Sequence, residues 1–303
     1  MLLNLSFHLL LLLVFPPLLG GVINKTKARF AGRVGAPLLQ AYFDLFKLFR
    51  KDMVLSRTTT WVFRAGPVVG LVTAAMAGLL VPLGYAYAPV SFPGDMILLA
   101  YLFALGRFFT ASAALDTGSA FEGMGAAREV TFAALAEPAL FFGLIVVAKL
   151  TGTLSLTTML TQAASGAGTA AAAALILVGA SWFTIVLAEN SRIPFDDPNT
   201  HLELTMIHEV MVLDHSGPAL GMIQYGAALK LFVMGALVVN ISLPWRFGWA
   251  LPDGLMFLAG MLVLAVAIGG VESVMARLRL NNVPKLLVSA SLLSAFGVVL
   301  LIA

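Results

Sequence analysis

The sequence predicts an all-α, polytopic membrane protein with about eight transmembrane helices and one amphipathic helix on the cytoplasmic side. It reads as a single integral membrane domain over residues 1–303. Three observations carry this. The chain is 60% hydrophobic with only 11% charged residues, where soluble globular chains carry about 25% charge, and its mean hydropathy is +0.98. Apolar runs of about 20 residues, the length that crosses a bilayer, recur from end to end. The basic residues fall into alternate gaps between those runs.

The runs place spans at 2–22, 61–84, 96–115, 130–150, 170–187, 221–243, 254–270 and 284–303. The first begins LLNLSFHLLLLLVFPPLLGG, which lacks a basic leader and an A-x-A cleavage site, so it is expected as a retained span rather than a signal peptide. All but Lys149, Lys230 and Arg246 of the 18 lysines and arginines are assigned to the odd-numbered connections. Positive residues stay inside, so the connections at 23–60, 116–129, 188–220 and 271–283 are expected in the cytoplasm, with both termini outside.

In the first connection, APLLQAYFDLFKLFRK (36–51) presents Leu38, Leu39, Tyr42, Phe43, Leu45, Phe46 and Phe49 on one side and Asp44, Lys47, Arg50 and Lys51 on the other. That is a surface helix lying along the membrane. The preceding RFAGRVGAP has the glycines of an exposed turn, without the spacing or strand of a phosphate loop. The third connection, ALDTGSAFEGMGAAREV, holds Glu122, Arg128 and Glu129 among glycines; it is expected to be irregular backbone covered by another subunit. Glu137 follows inside the fourth span, beside Pro138, which should kink it. The fourth connection, TGTLSLTTMLTQAASGAGT, is polar without charge and reads as an outer loop.

Polar chemistry concentrates in the fifth connection. AENSRIPFDDPNTHLELTMIHEVMVLDHSG (188–217) holds Glu189, Asp196, Asp197, Glu203, Glu209 and Asp214, with His201, His208 and His215. Pro194 forbids the preceding helix to continue, because it lacks a backbone donor and restricts Ile193. A new helix is expected with Asp197 as N-cap and Pro198 at its first position. At about 100° per residue, such a helix stacks the three histidines on one stripe and puts Glu203 and Asp214 nearly opposite, with Glu209 between.

Glu137, Glu189, Lys230 and Glu272 fall within or at the ends of spans. A charge at the bilayer centre costs about 2.5–3.5 kcal/mol on insertion scales, so these residues are expected to face the bundle interior. Desolvation favours a protonated carboxyl and a nearby cation reverses that; moving one cation can therefore load or unload a proton. A static Glu–Lys pair holding helices together would use the same residues.

Several chemistries are excluded or unsupported. With no cysteine, the chain offers no disulfide, no thiolate ligand for an iron–sulfur cluster and no thiol nucleophile. His208-Glu209 does not open an H-E-x-x-H zinc site, since Val212 takes the second histidine position. The basic residues describe topology, not a nucleic-acid surface.

ENSRIPFDDPNTHLELTMIHE with DHSG resembles the membrane subunit of group 4 membrane-bound [NiFe]-hydrogenases, of formate hydrogenlyase and hydrogenase-4 type, within the respiratory complex I subunit 1 family. GRVGAPLLQAYFDLFKLFRKD, AFEGMGAAREV and RLRLNNVPKLL extend the likeness across the chain. Quinone-reducing members read near E-x-N-R-x-P-F-D-L-P-E and close with E-Y-S-G. Glu189, Arg192, Pro194, Phe195, Asp196, Pro198, Glu203, Ser216 and Gly217 match that pattern. Asp197 replaces the leucine, His201 an acid and Asp214 the glutamate, and the loop is about three residues longer; these departures favour the hydrogenase branch.

The resemblance implies an energy-coupling subunit in the cytoplasmic (inner) membrane. Small and large [NiFe]-hydrogenase-type subunits would dock on its cytoplasmic loops and carry the iron–sulfur clusters and nickel–iron centre, and antiporter-like membrane subunits would adjoin it. No cofactor is expected in this chain itself. Proton transfer would run through Glu203, Glu209, Asp214, Glu189, Glu137, Glu129 and Glu122, with Lys230 and Glu272 as buried partners. Arg33, Arg192, Asp196, Asp197, His201 and His208 would form the docking face or a quinone-like cavity. A quinone-binding subunit, with its cavity between the first span, the amphipathic helix and the sixth span, is the second reading. A stand-alone secondary transporter is the third, and it would show inverted repeats; none is evident.

Overall fold

The computed structural model describes residues 2–84, 87–163, 168–196, 206–243 and 250–302. They form helices α1 (Leu2–Val14), α2 (Pro16–Phe30), α3 (Gln40–Phe49), α4 (Trp61–Leu80), α5 (Asp95–Asp116), α6 (Ala120–Thr151), α7 (Leu156–Gln162), α8 (Thr169–Glu189), α9 (Gly217–Ser242), α10 (Ala250–Val274) and α11 (Val283–Leu300). There is no strand among the described residues. Seven helices are long and apolar enough to cross a membrane, and the bent pair α1–α2 makes up to eight.

The first span is not the continuous helix the hydropathy predicts. It bends by 44° where α1 meets α2. Pro16 and Pro17 cannot donate to the carbonyls one turn back. The Tyr225 hydroxyl donates to Leu13 O at 2.7 Å, and the Tyr42 hydroxyl donates to Val14 O, because Leu18 N turns to Phe15 O at the bend. Phenols on α9 and α3 thus satisfy carbonyls left open at the bend, as a membrane interior demands. The helix then runs on to Phe30, eight residues past the expected end at 22.

The third connection also differs from expectation. Only residues 117–119 separate α5 from α6, and Glu122 and Glu129 lie on the first turns of a 32-residue helix that continues through Pro138. Its glycines do not break it because one of them, Gly125, is where the fifth connection packs. A Cβ there would stand 2.3 Å from Val210 Cγ1 and 2.9 Å from Ile207 O. The cover over this stretch is therefore the chain's own loop. The fourth connection, expected as an outer loop, contains α7, which buries Leu156, Met159 and Leu160.

Helix α4 packs against α5 and α9, α11 against α6 and α8, and α10 against α2. Small residues let these backbones approach closely: Gly106 lies against Thr73, Gly226 against the backbone of Leu71, and Gly143 beneath the Trp182 indole. One end of the bundle gathers the connections after α2, α5, α8 and α10. There the Asp116 carboxylate accepts from Thr60 N and Phe63 N, at the start of α4. Ser216 Oγ accepts from Val54 N at 3.1 Å, and Arg277 Nη2 meets Asp196 Oδ1 at 2.9 Å. This basic end carries the site.

Candidate functional site: a buried carboxylate–cation chain

Helix α8 stops at Glu189 because Pro194 lies five residues on. The carboxylate so placed is almost fully enclosed and meets two cations from neighbouring helices. Lys230 Nζ on α9 donates to Glu189 Oε2 at 2.8 Å, and Arg107 Nη1 on α5 lies 3.6 Å from Glu189 Oε1. The same Arg107 nitrogen is 3.3 Å from Glu137 Oε1 on α6. Glu137, Arg107, Glu189 and Lys230 therefore alternate in charge across four helices.

A cavity of 110 Å³ adjoins this chain, lined by Arg107, Glu189 and Lys230 together with Glu129, Asn190 and His208. A second, of 140 Å³, shares Phe103, Arg107 and Glu189 with the first and is also walled by Glu137, Tyr101, Phe141 and Met234. The Glu137 side chain is 45% exposed on this chain. It stands at the flank of the bundle rather than in its interior, and Arg107 is its link to Glu189.

Nearer the basic end is a larger chamber of 390 Å³. Its walls come from Pro16, Pro17 and Lys27 on α2, Asp44 on α3, Arg192, Asp196, His208 and Glu209 on the fifth connection, and Gln224 on α9. It lies between the first span, the amphipathic helix and the sixth span. Asn190, His208, Ile223 and Ala227 line both this chamber and the 110 Å³ cavity.

The fifth connection is held by buried polar contacts. Asp196 is 2% exposed; its Oδ2 accepts from Ile207 N at 3.0 Å and His208 N at 3.1 Å. Arg192 reaches instead to Glu272 Oε1 at 3.4 Å, and Lys27 Nζ stands 2.8 Å from Glu272 Oε2. Glu272 is thus a closed junction between α2, α10 and the fifth connection. Farther along, the His215 ring stacks on Phe63 with centroids 3.9 Å apart. Burial pushes the His215 imidazole down to about 4, against a smaller opposing pull from Asp214.

A model of the NADH dehydrogenase family matches residues 3–303, essentially the whole chain. The chain belongs to that family, the family of complex I subunit 1. Formate hydrogenlyase subunit 4 of Escherichia coli (strain K12) is 31% identical over 283 residues, covering 91% of each chain. Hydrogenase-4 component C of the same organism is 34% identical over 235 residues, 78% of this chain and 73% of that one. The fold is shared with a chain of the membrane-bound sulfane sulfur reductase, an archaeal respiratory membrane complex, at a TM-score of 0.82 and 23% identity, covering 99% of both chains.

In this complex I subunit 1-family chain the expected acidic helix of the fifth connection is not formed where it is described. Residues 206–216 contain a single 3₁₀ turn, Glu209–Val212. His208 turns toward Glu129, with Nδ1 3.8 Å from Oε2, whereas His215 turns to Phe63, so these two do not share a stripe. The reason is tertiary: Asp196 draws the backbone of residues 207 and 208 inward, and Gly125 leaves room for Val210. Asp197, His201 and Glu203 lie outside the described residues.

The other expected site residues divide. Glu129, Glu189, Lys230 and His208 share one cavity. Glu122 is buried and accepts from Asp214 N at 3.2 Å, while the Asp214 side chain is exposed. Glu209 lines the outer chamber, and Arg33 lines a separate groove beside Lys27 and Glu272. The residue that sequence reasoning missed is Arg107. It was counted only as a basic residue of a connection, although an arginine inside the apolar run 96–115 carries the same signal that singled out Lys230.

Proposed function

We propose that this chain is the membrane-anchoring and energy-coupling subunit of a complex I-like hydrogenase. It links electron transfer in a docked [NiFe]-hydrogenase and iron–sulfur module to translocation of protons, or of sodium, through its buried carboxylates. The observation that carries the reading is the alternation of charge from Glu137 at the flank through Arg107 to the enclosed Glu189 and Lys230. Each cation there touches a carboxylate that can hold a proton, and Arg107 touches two. A proton gained at one acid changes the hold of the shared cation on the next, which is how charge passes along a chain without a continuous water path.

The hydrogenase-type relatives favour the catalytic metals lying on partner subunits, which would dock on the connections of the basic end. By the positive-inside rule, that end faces the cytoplasm, both termini face out, and the membrane is the cytoplasmic (inner) one. Antiporter-like membrane subunits would cover the flank where Glu137 emerges. The test is Glu189→Gln in the assembled complex, reconstituted in vesicles with a trapped pH dye. Hydrogen evolution without proton uptake or release supports the assignment; protons moved per hydrogen at the wild-type ratio overturns it.

A second reading rests on the 390 Å³ chamber, a volume within the range of small-molecule sites. Its mixed wall of Pro16, Pro17, Leu45 and Leu231 with Arg192 and His208 would take an amphipathic quinone. Quinone reduction by the purified complex that is sensitive to Asp196→Asn favours it.

A further inference from the structure

We propose that His208 is the group through which protons cross between the outer chamber and the inner cavity that holds Glu129 and Glu189; this rests on the coupling function proposed above. The two spaces share a wall made by Asn190, His208, Ile223 and Ala227. Two of these are apolar and the third is an amide, so His208 alone can take up and release a proton there. Its side chain is 28% exposed, and Nδ1 lies 3.8 Å from Glu129 Oε2. That nitrogen is buried, with no closer hydrogen bond among the described residues, so the ring aims it at the Glu129 carboxylate.

The backbone fixes the ring in this place. His208 N donates to Asp196 Oδ2, whose other oxygen is held by Arg277, and His208 O accepts from Met211 N at 3.1 Å. The groups facing the ring differ on its two sides. Inside are Glu129 on α6, Glu189 on α8, Arg107 on α5 and Lys230 on α9. Outside are Asp44 on α3, Lys27 on α2, and Arg192, Asp196 and Glu209 on the fifth connection.

The step balances without any redox partner. Nε2 binds a proton from the chamber, and the imidazolium then releases the Nδ1 proton to the Glu129 carboxylate. The neutral ring is left with its proton on Nε2 and resets by turning about Cβ–Cγ, so that Nδ1 takes one proton from the chamber as Nε2 returns one to it, before the ring turns back with a net gain of one proton at Glu129. An imidazole has two ring nitrogens, one of which can accept a proton while the other donates one, which suits a group that must do both.

The experiment uses the assembled complex in vesicles with a trapped pH dye, comparing wild type, His208→Gln and His208→Ala. Protons moved per electron are expected to fall on the order of a hundredfold in His208→Gln, and free imidazole is expected to restore movement in His208→Ala. Wild-type movement in His208→Gln overturns the proposal, as does a loss in His208→Ala that imidazole leaves unchanged, the mark of a static ion pair. Glu189→Gln is run beside them. If it is inactive while His208→Gln moves protons normally, the route through His208 fails and the coupling function stands; if Glu189→Gln moves protons normally, the coupling function itself fails. Should the variants not assemble, the wild-type complex decides: an infrared difference spectrum between oxidised and reduced states must contain an imidazole band that shifts on ring-¹⁵N histidine labelling, and its absence overturns the proposal.

Discussion

Lys230 Nζ lies 2.8 Å from Glu189 Oε2 across the contact between α8 and α9, while the other oxygen of the same carboxylate faces Arg107 at 3.6 Å. Neither cation comes from the helix that carries Glu189. The ion pairs of this acid thereby depend on the relative positions of three spans, and a change in their packing changes which cation it meets.

Lys230→Met removes the nearer cation. With that ion pair gone, proton movement per electron is expected to fall by about tenfold or more. Lys230→Arg keeps the charge and is expected to retain most of it. The vesicle pH-dye assay compares the two, and equal loss in both would mean that shape, not charge, matters here.

Glu272 is shared by Lys27 and Arg192, and its side chain is fully enclosed. Glu272→Gln leaves two cations without their carboxylate, at a cost on the order of 3 kcal/mol. A lower melting temperature of the purified complex is expected, with part of the loss recovered in the double variant Glu272→Gln, Lys27→Met. A single variant as stable as wild type would contradict this.

Gly125→Ala drives a methyl group to within 2.3 Å of Val210 Cγ1 and 2.9 Å of Ile207 O. Overpacking of this kind costs about 1–3 kcal/mol, and the displaced loop carries His208 with it. Gly123→Ala is the control, since its Cβ meets nothing nearer than Leu115 Cδ2 at 3.7 Å. It is expected to be neutral or slightly stabilising, because alanine is the better helix former. Thermal unfolding of both variants checks the contrast.

His215 is held neutral by burial against Phe63, at about 4 instead of its ordinary 6.5. An unfolded chain therefore binds a proton that the folded one refuses between those values. The contribution is fully present above pH 6.5 and is lost as pH falls towards about 4. His215→Phe keeps an aromatic stack and removes the titration. Its melting temperature is expected to fall less than that of wild type between pH 7 and pH 5; parallel curves would refute the assignment.

The spans, the surface helix and the break after Glu189 were legible in the sequence because each depends on a local pattern. An apolar run long enough for a bilayer, a two-faced helix at 40–49 and a proline after a helix end all act within one segment. Intramembrane charge likewise marked Glu189, Lys230 and Glu272 before any partner was known. From residue 206 on, the acidic helix expected in the fifth connection was misread for the same reason. Periodicity is a local signal, and the contacts of Asp196 with the backbone of residues 207 and 208 override it there from outside.

The sequence by itself determined that the chain is a bundle of membrane helices with its acids and histidines massed at one end. Only the tertiary structure decided that Arg107 joins Glu137 to Glu189, that Glu272 is closed by Lys27 and Arg192, that Tyr42 and Tyr225 complete the broken first span, and that His208 stands between two cavities. Hydropathy is summed along the chain and survives any arrangement of the helices. Ion pairs at 2.8 to 3.6 Å exist only once α2, α5, α6, α8, α9 and α10 have taken their places, and small residues such as Gly106 and Gly226 set how closely some of them approach.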